Sequence, residues 1–282
     1  MKITATVRAT VLCDNSVFLN MGAIAEHGWA VYLQTEDGAF LWDTGQGKGL
    51  LPNATFFGAD LTRLRSVLIS HHHLDHTGGL MDLLRLQKGK QTDVYTHPEL
   101  FKDSYRVEGE KVTHIGVPFS RAALEGHGAR FHFATSYCQV APGLCLTGEI
   151  PRRTDFETGD RFLMVPSGTG FQRDSLLDDQ ALVVESEHGV SVVLGCCHAG
   201  LINTLSYVAE QTGTRRFRAI VGGTHLGLSD QKQLEATIVA LREFDIERLG
   251  VSHCTGMAAS VVLAQEFGER FFFCSVGTVV EL

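Results

Sequence analysis

The chain has 282 residues, 44% hydrophobic and 20% charged, a composition typical of a globular protein with a full core. A net charge of −8 argues against a nucleic-acid-binding surface or a patch for anionic membranes. No stretch approaches the ~18 consecutive apolar residues of a membrane span, and residues 1–15 lack the apolar segment of a signal peptide. The seven cysteines lack the spacing of a disulfide framework, so we expect reduced thiols and a cytoplasmic protein.

Apolar runs predict strands in the first part of the chain. They lie at 3–12, 29–35, 40–42, 67–69 and 94–96. A helix is predicted over 78–86, because Leu80, Leu83 and Leu84 recur on one face. This part of the chain therefore begins with strands and continues with strand–helix units.

The second part repeats this order. Strands are predicted at 143–147, 181–185, 190–195, 219–222, 249–252 and 271–276, and helices at 203–211, 229–244 and 258–267. Ser229 is the predicted N-cap of the second helix, and Gly268 ends the third. Two such series predict an α/β protein with four layers, helix–sheet–sheet–helix, in one domain over 1–282. The stretch 98–179 reads as a loop-rich insertion of the kind that often binds substrate.

A run of metal-capable side chains follows the apolar stretch 67–69. It reads His71-x-His73-x-Asp75-His76. Imidazole and carboxylate together suit Zn, Fe, Mn or Ni. Histidine is costly to bury without a partner, so packing does not explain this density, and the run predicts a metal site.

Three further histidines come directly after predicted strands. They are His198, His225 and His253, each flanked by glycine or other small residues. The carboxyl ends of strands are where site residues converge in α/β sheets. We therefore expect these histidines to complete the metal site.

These stretches carry a family resemblance. The His71-x-His73-x-Asp75-His76 run is the hallmark motif of the metallo-β-lactamase-fold superfamily. More narrowly, the chain resembles the dihydropterin-aminobenzene-phosphate synthases of the methanopterin pathway and their bacterial relatives. The stretches that carry the narrower resemblance are 13–15, 25–28, 40–46, 148–152, 195–205, 222–226 and 252–256.

The resemblance implies an αββα sandwich with metals at one sheet edge. His71 and His73 would bind one metal, and Asp75 and His76 the other. His253 matches the last histidine of the superfamily.

The chain departs from the superfamily pattern at two positions. The usual third histidine has no clear match, although Glu149 lies near its place. The usual bridging aspartate is replaced by Cys196-Cys197-His198. We expect His198 to substitute as a ligand, with a cysteine as the alternative, because thiolate binds Zn and Fe well.

Other candidates have supporting roles. Asp43 follows a strand and is expected to orient a metal-binding histidine, with a turn-forming role as the alternative. Arg152 in the long loop could bind a phosphate through two hydrogen bonds. His225 is either a ligand or the general acid that protonates the leaving group. His72 is expected to point outward, and His27 to lie on the surface.

We therefore predict a metal-dependent hydrolase that uses metal-activated hydroxide, with Asp75 and His225 as catalytic residues. Its substrate would be a small phosphate ester or diphosphate. One alternative is a transferase that joins a pterin-methyl diphosphate to an aminobenzene-ribofuranosyl phosphate, as the family label implies. Another is an iron-dependent redox enzyme, although flavodiiron sites carry Glu at the position of His73. We expect one or two Zn ions, with Fe, Mn or Ni as alternatives. No nucleic-acid or membrane partner is expected, and the sequence leaves open whether the protein forms a homo-oligomer.

Overall fold

The structure is a computed structural model that describes residues 3–19 and 22–282. In this part of the chain the strands are β1 (Arg8–Cys13), β2 (Ala30–Thr35), β3 (Gly38–Trp42), β4 (Leu64–Leu68), β5 (Thr92–Thr96), β6 (Tyr105–Glu108), β7 (Lys111–His114), β8 (Ala129–Phe133), β9 (Cys138–Ala141), β10 (Leu144–Leu146), β11 (Leu163–Ser167), β12 (Gly170–Arg173), β13 (Leu182–Ser186), β14 (Gly189–Val193), β15 (Arg216–Gly223), β16 (Asp245–Ile246), β17 (Leu249–Ser252), β18 (Phe271–Phe273) and β19 (Val279–Glu281). The α-helices are α1 (Leu50–Phe57), α2 (Leu74–Thr77), α3 (Leu80–Leu86), α4 (Arg121–Gly126), α5 (Leu201–Thr212), α6 (Gln231–Leu241) and α7 (Met257–Phe267).

Two large sheets form the body of the fold. The first has the order β19-β1-β2-β3-β4-β5-β8, and the second has the order β18-β17-β15-β14-β13-β10-β9, with β16 beside β15. Strands β3, β4 and β5 are parallel, as are β14, β15 and β17. Each sheet therefore has a parallel part whose strands end at the same edge.

Three apolar clusters fix the layers. Trp42, Leu68 and Val193 belong to the cluster between the two sheets. A second cluster packs the outer face of the first sheet against α1 and α3, and a third packs the second sheet against α5, α6 and α7. Burial on both faces of each sheet excludes water from its apolar strands, which stabilises the stack. The predicted four-layer αββα arrangement is confirmed.

Local details differ from the sequence-based expectations. The second helix of the second part begins after Asp230, whose carboxylate accepts from the backbone N–H of Gln233 at 2.8 Å, so Ser229 is not its cap. Asp at this position satisfies an N–H that the helix leaves free, as Ser would. Helix α1 was not predicted at all, because its apolar residues lack a clear helical period.

The stretch 98–179 contains more regular structure than its composition indicates. It holds β8, β9 and β10 of the large sheets, together with a separate antiparallel sheet in the order β12-β11-β6-β7. Strands β6, β7 and β12 of the separate sheet are short and largely exposed, so their apolar alternation is weak in the sequence. None of the helices in the described residues is long and apolar enough to cross a membrane.

Candidate metal centre

The chemistry-bearing residues meet at one edge of the sandwich. Asp43 follows β3 and His71 lies shortly after β4 in the first sheet. In the second sheet, Cys196, His225 and His253 follow β14, β15 and β17. Because parallel strands end at the same edge, these segments converge although they are far apart in sequence.

One group of imidazoles contains His71, His73 and His198. Its ring nitrogens lie within 4.8 Å of one another, and His71 Nε2 is 3.0 Å from His73 Nδ1. Burial holds the pKa of all three histidines well below the usual value. For His71 and His198, the neighbouring imidazoles lower the pKa further. All three rings are therefore neutral at pH 7, the state in which imidazole binds metals.

A second group contains Asp75, His76, Cys196 and His253, again with ligand atoms within 4.8 Å. His76 Nε2 is 3.1 Å from Cys196 Sγ, and His253 Nε2 is 3.2 Å from Asp75 Oδ2. Burial opposes ionisation of Asp75, but His76 and His253 hold its pKa well below the usual range. Burial also opposes the charged form of His253, but the hydrogen bond to Asp75 raises its pKa to about 9.

Asp43 accepts a hydrogen bond from His76, a member of the second group. Its Oδ2 accepts from His76 Nδ1 at 2.6 Å and from the Ser70 hydroxyl at 2.7 Å, and its Oδ1 accepts from the Ser70 backbone N–H at 2.7 Å. The carboxylate is fully buried. These contacts fix the ring of His76 with Nε2 facing the cleft.

Strained backbone surrounds the centre. Asp43, Cys197, His225 and His253 have φ values of 56°, 64°, 53° and 44°, in the left-handed region that L-residues rarely adopt. Such conformations cost about 1–3 kcal/mol each and persist where the surrounding structure imposes them. Their concentration at these strand ends indicates that side-chain placement here outweighs local stability.

His225 forms the wall between the centre and a neighbouring cavity. Its ring centroid is 4.2 Å from that of His198, and its Nε2 is 3.9 Å from Asp160 Oδ2. Burial opposes its charged form, but Cys254 and Asp160 raise the pKa of His225. The metal-facing cleft has a volume of about 380 Å³ and includes Arg106. The neighbouring cavity, of about 480 Å³, is lined by Arg161 and Arg173.

The donor set fits divalent metal ions. In the described residues, His73 Nε2 and both ring nitrogens of His198 are buried without a hydrogen-bonding partner. Unpaired buried polar atoms are costly, and coordination to a metal would satisfy them. Imidazole, carboxylate and thiolate are ligands of zinc and of divalent iron.

The structure reassigns the residues that replace the superfamily's usual ligands. His198 groups with His71 and His73, so it fills the place of the third histidine and not that of the bridging aspartate. Cys196 joins the second group, with Asp75, His76 and His253. Cys197 is the other cysteine that the sequence offers as a ligand, but its Sγ lies 3.4 Å from Thr204 Oγ1 in the core beside α5. Of these two cysteines, Cys196 lines the metal-facing cleft and Cys197 does not.

Two other candidates lie outside the centre. Glu149 Oε1 is 3.2 Å from His97 Nε2 and joins none of the ligand groups among the described residues. The Arg152 guanidinium donates to the carbonyl oxygens of His198, Ser175 and Leu176, so it holds backbone in place and does not face a substrate.

Three residues have surroundings that the sequence did not indicate. His72 is fully buried, and its Nδ1 is 2.7 Å from Asp178 Oδ2, so it points away from the cleft but into the protein. His27 Nε2 is 3.2 Å from Asp75 Oδ2. Asn15 Oδ1 accepts from His253 Nδ1 at 2.9 Å. The position of Asn15 two residues after the end of β1 is the signal that could have found it.

The chain belongs to the metallo-beta-lactamase superfamily, whose family model matches residues 24–185. One full-length relative is the 7,8-dihydropterin-6-methyl-4-(beta-D-ribofuranosyl)-aminobenzene-5'-phosphate synthase of Methanocaldococcus jannaschii. It is 24% identical over 98% of this chain and 96% of its own length.

Solved structures show the same fold. Tm1679, described as a metal-dependent hydrolase of the beta-lactamase superfamily, superposes with a TM-score of 0.84 and 28% identity over 98% of this chain and 99% of its own. A diphosphatase from the PhnP family gives a TM-score of 0.55 at 11% identity, covering 98% of both chains. The latter likeness is one of fold alone.

Proposed function

We propose that the protein is a metal-dependent hydrolase of small phosphate esters or diphosphates. The observation that carries this proposal is the pair of ligand groups that face one cleft beside a cavity containing arginines. His71, His73 and His198 would hold one metal, and Asp75, His76, Cys196 and His253 the other. Bound divalent metal would supply Lewis acidity and a nucleophile at neutral pH.

Arg161 is the favoured phosphate-binding residue. Its guanidinium lies over the Phe162 ring at 4.7 Å, and it has no carboxylate partner among the described residues. A free guanidinium in a cavity next to the centre suits bidentate binding of phosphate. Arg106 is less suited, because Asp160 and Glu108 already pair with it.

His225 is the favoured general acid. Its ring lies between the ligand groups and the arginine-lined cavity, where a leaving group would depart. Its raised pKa favours the protonated ring, and transfer of that proton would neutralise the departing oxygen. Asp160 would stabilise the charged ring.

A substrate panel tests the proposal. The metal-loaded protein is assayed with phosphomonoesters, a phosphodiester, a diphosphate, a lactone and a thioester. We expect turnover of a phosphorylated substrate, with at least ~100-fold loss in a variant carrying both His73→Ala and Asp75→Ala. Arg161→Ala should raise KM mainly, while Arg121→Ala, remote from the cleft, should behave as the parent. Preference for the lactone or thioester, or full activity of the double variant, would reject the proposal.

A transferase is the second candidate, favoured by the synthase relative that matches almost the whole chain. In that reaction a pterin-methyl diphosphate would be joined to an aminobenzene-ribofuranosyl phosphate, with diphosphate leaving. The arginine-lined cavity would then hold one of the phosphorylated partners. Incubation with both substrates followed by product analysis separates the two functions, since water as the sole acceptor excludes transfer.

A further inference from the structure

Two cysteines face each other on the wall of the metal centre. Cys196 follows β14 and Cys254 lies after β17, with β15 between these strands in the sheet. Their Sγ atoms lie within 4.8 Å of each other, and the Cys254 thiol donates to the Cys196 carbonyl oxygen at 3.3 Å. Both line the metal-facing cleft.

A glycine lies next to these two cysteines. Second-neighbour strands are roughly 9–10 Å apart, so side chains from β14 and β17 ordinarily do not touch. Gly223 ends the intervening strand, and a Cβ at this position would lie 2.7 Å from Cys254 Sγ and 3.4 Å from Cys196 Cα. The missing side chain therefore leaves the space that Cys254 Sγ occupies beside Cys196.

We propose that Cys196 and Cys254 form a reversible disulfide on exposure to hydrogen peroxide, and that the disulfide releases metal from the group containing Asp75, His76 and His253. The cross-link itself depends only on the two thiols. The release of metal rests on the proposed metal centre.

The chemistry balances with one peroxide. The sulfur of Cys254, the more exposed of the two, attacks a peroxide oxygen, and the O–O bond breaks to give a sulfenic acid. The sulfur of Cys196 then attacks the sulfenic sulfur, the S–O bond breaks, and water leaves. Two thiols lose two electrons and two protons, and the peroxide becomes two waters. To form the ~2 Å S–S bond, the sulfurs need to approach by at most about 3 Å.

The consequence for the centre follows from ligand chemistry. Thiolate, and not a disulfide sulfur, is the metal ligand that cysteine supplies. Cys196 lies 3.1 Å from His76 Nε2 in the middle of the second ligand group. Its oxidation therefore removes a donor from that group and leaves the group of His71, His73 and His198 complete.

Peptide mapping tests the cross-link. The reduced full-length protein, with and without chelator treatment, is exposed to one equivalent of hydrogen peroxide, and remaining thiols are blocked. We expect mass spectrometry to find the peptides of Cys196 and Cys254 joined, with loss of two hydrogen atoms, in the chelator-treated protein. Reduction should reverse the link. Metal content, measured on the loaded protein after oxidation, should fall by about one ion per chain if two were bound.

Matched variants assign the sulfurs. Cys197→Ser and Cys138→Ser should still form the link, whereas Cys196→Ser and Cys254→Ser should not. If a variant fails to fold, the map of the parent protein still decides. A link from Cys254 to Cys197, or oxidation of Cys254 to sulfinic acid with no link, would overturn the proposal. Formation of the link without metal loss would overturn its second half only.

Discussion

Adjacent residues have opposite roles at this centre. His71 and His73 face the cleft, while His72 between them is buried against Asp178. Cys196 faces the cleft and Cys197 packs beside α5. Consecutive side chains of an extended segment leave on opposite sides, which accounts for His71, His72 and His73, whereas the left-handed backbone of Cys197 separates the two cysteines. A shift by one position would exchange a ligand for a core residue.

The contacts of Asp43 lead to a prediction at this scale. Its two oxygens accept from three donors, and the amide of Asn offers only one accepting oxygen. We expect Asp43→Asn to lower metal affinity by roughly 10–100-fold, because His76 loses its fixed orientation. Competition with a chromophoric chelator measures this affinity. Asp245→Asn, at an exposed carboxylate far from the cleft, is the matched control, and equal affinity in the two variants would refute the role.

Among the elements, the loops are held together by a buried ion network. Lys102 Nζ lies 2.8 Å from Asp174 Oδ1 and 2.9 Å from Asp178 Oδ1, and Asp178 Oδ2 accepts from the backbone N–H of His72 at 2.8 Å. Burial opposes the charge on Lys102, but the two carboxylates raise its pKa. The network joins the segment after β5, the segment after β12 and the histidine-rich segment after β4.

Removal of the lysine tests this network. Lys102→Met leaves Asp174 and Asp178 buried without their cation, and loss of one partner of a buried pair costs about 3–5 kcal/mol. We therefore expect the free energy of unfolding to fall by about 3 kcal/mol in urea titrations monitored by circular dichroism. Lys90→Met changes an exposed lysine and should alter it by less than about 0.5 kcal/mol. Similar unfolding curves for the two variants would contradict the assignment.

For the molecule as a whole, each half of the sandwich supplies part of the centre. The segment after β4 of the first sheet supplies His71, His73, Asp75 and His76, and the segments after β14 and β17 of the second sheet supply Cys196, His198 and His253. The group of His71, His73 and His198 and the group of Asp75, His76, Cys196 and His253 both combine residues from the two halves, whereas Cys196, His225 and Cys254, which also lie within ligand distance of one another, all come from the second. A metal bound there would join the two halves, so it would stabilise the folded state over the unfolded one.

Removal of metal should therefore destabilise the protein. A metal present at 100 times its Kd contributes ~2.7 kcal/mol, which corresponds to roughly 5 °C in Tm for a chain of 282 residues. Differential scanning calorimetry with and without chelator measures the shift, and elemental analysis of the untreated protein distinguishes zinc from iron, manganese and nickel. The His73→Ala variant should respond less to chelation. An unchanged Tm in the parent would contradict stabilisation by metal.

The sequence by itself determined the layered fold and the region of the centre, because apolar periodicity and the dense His-x-His-x-Asp-His run are local signals. It also placed His198, His225 and His253 at strand ends. Only the tertiary structure decided which cysteine faces the cleft, which ligand group His198 joins, and that His27 and Asn15 contact the centre. It likewise showed that Arg152 binds backbone carbonyls. The direction of a side chain at a strand end depends on register, and contacts across two sheets depend on long-range packing. The spacing of residues along the chain determines neither register nor long-range packing.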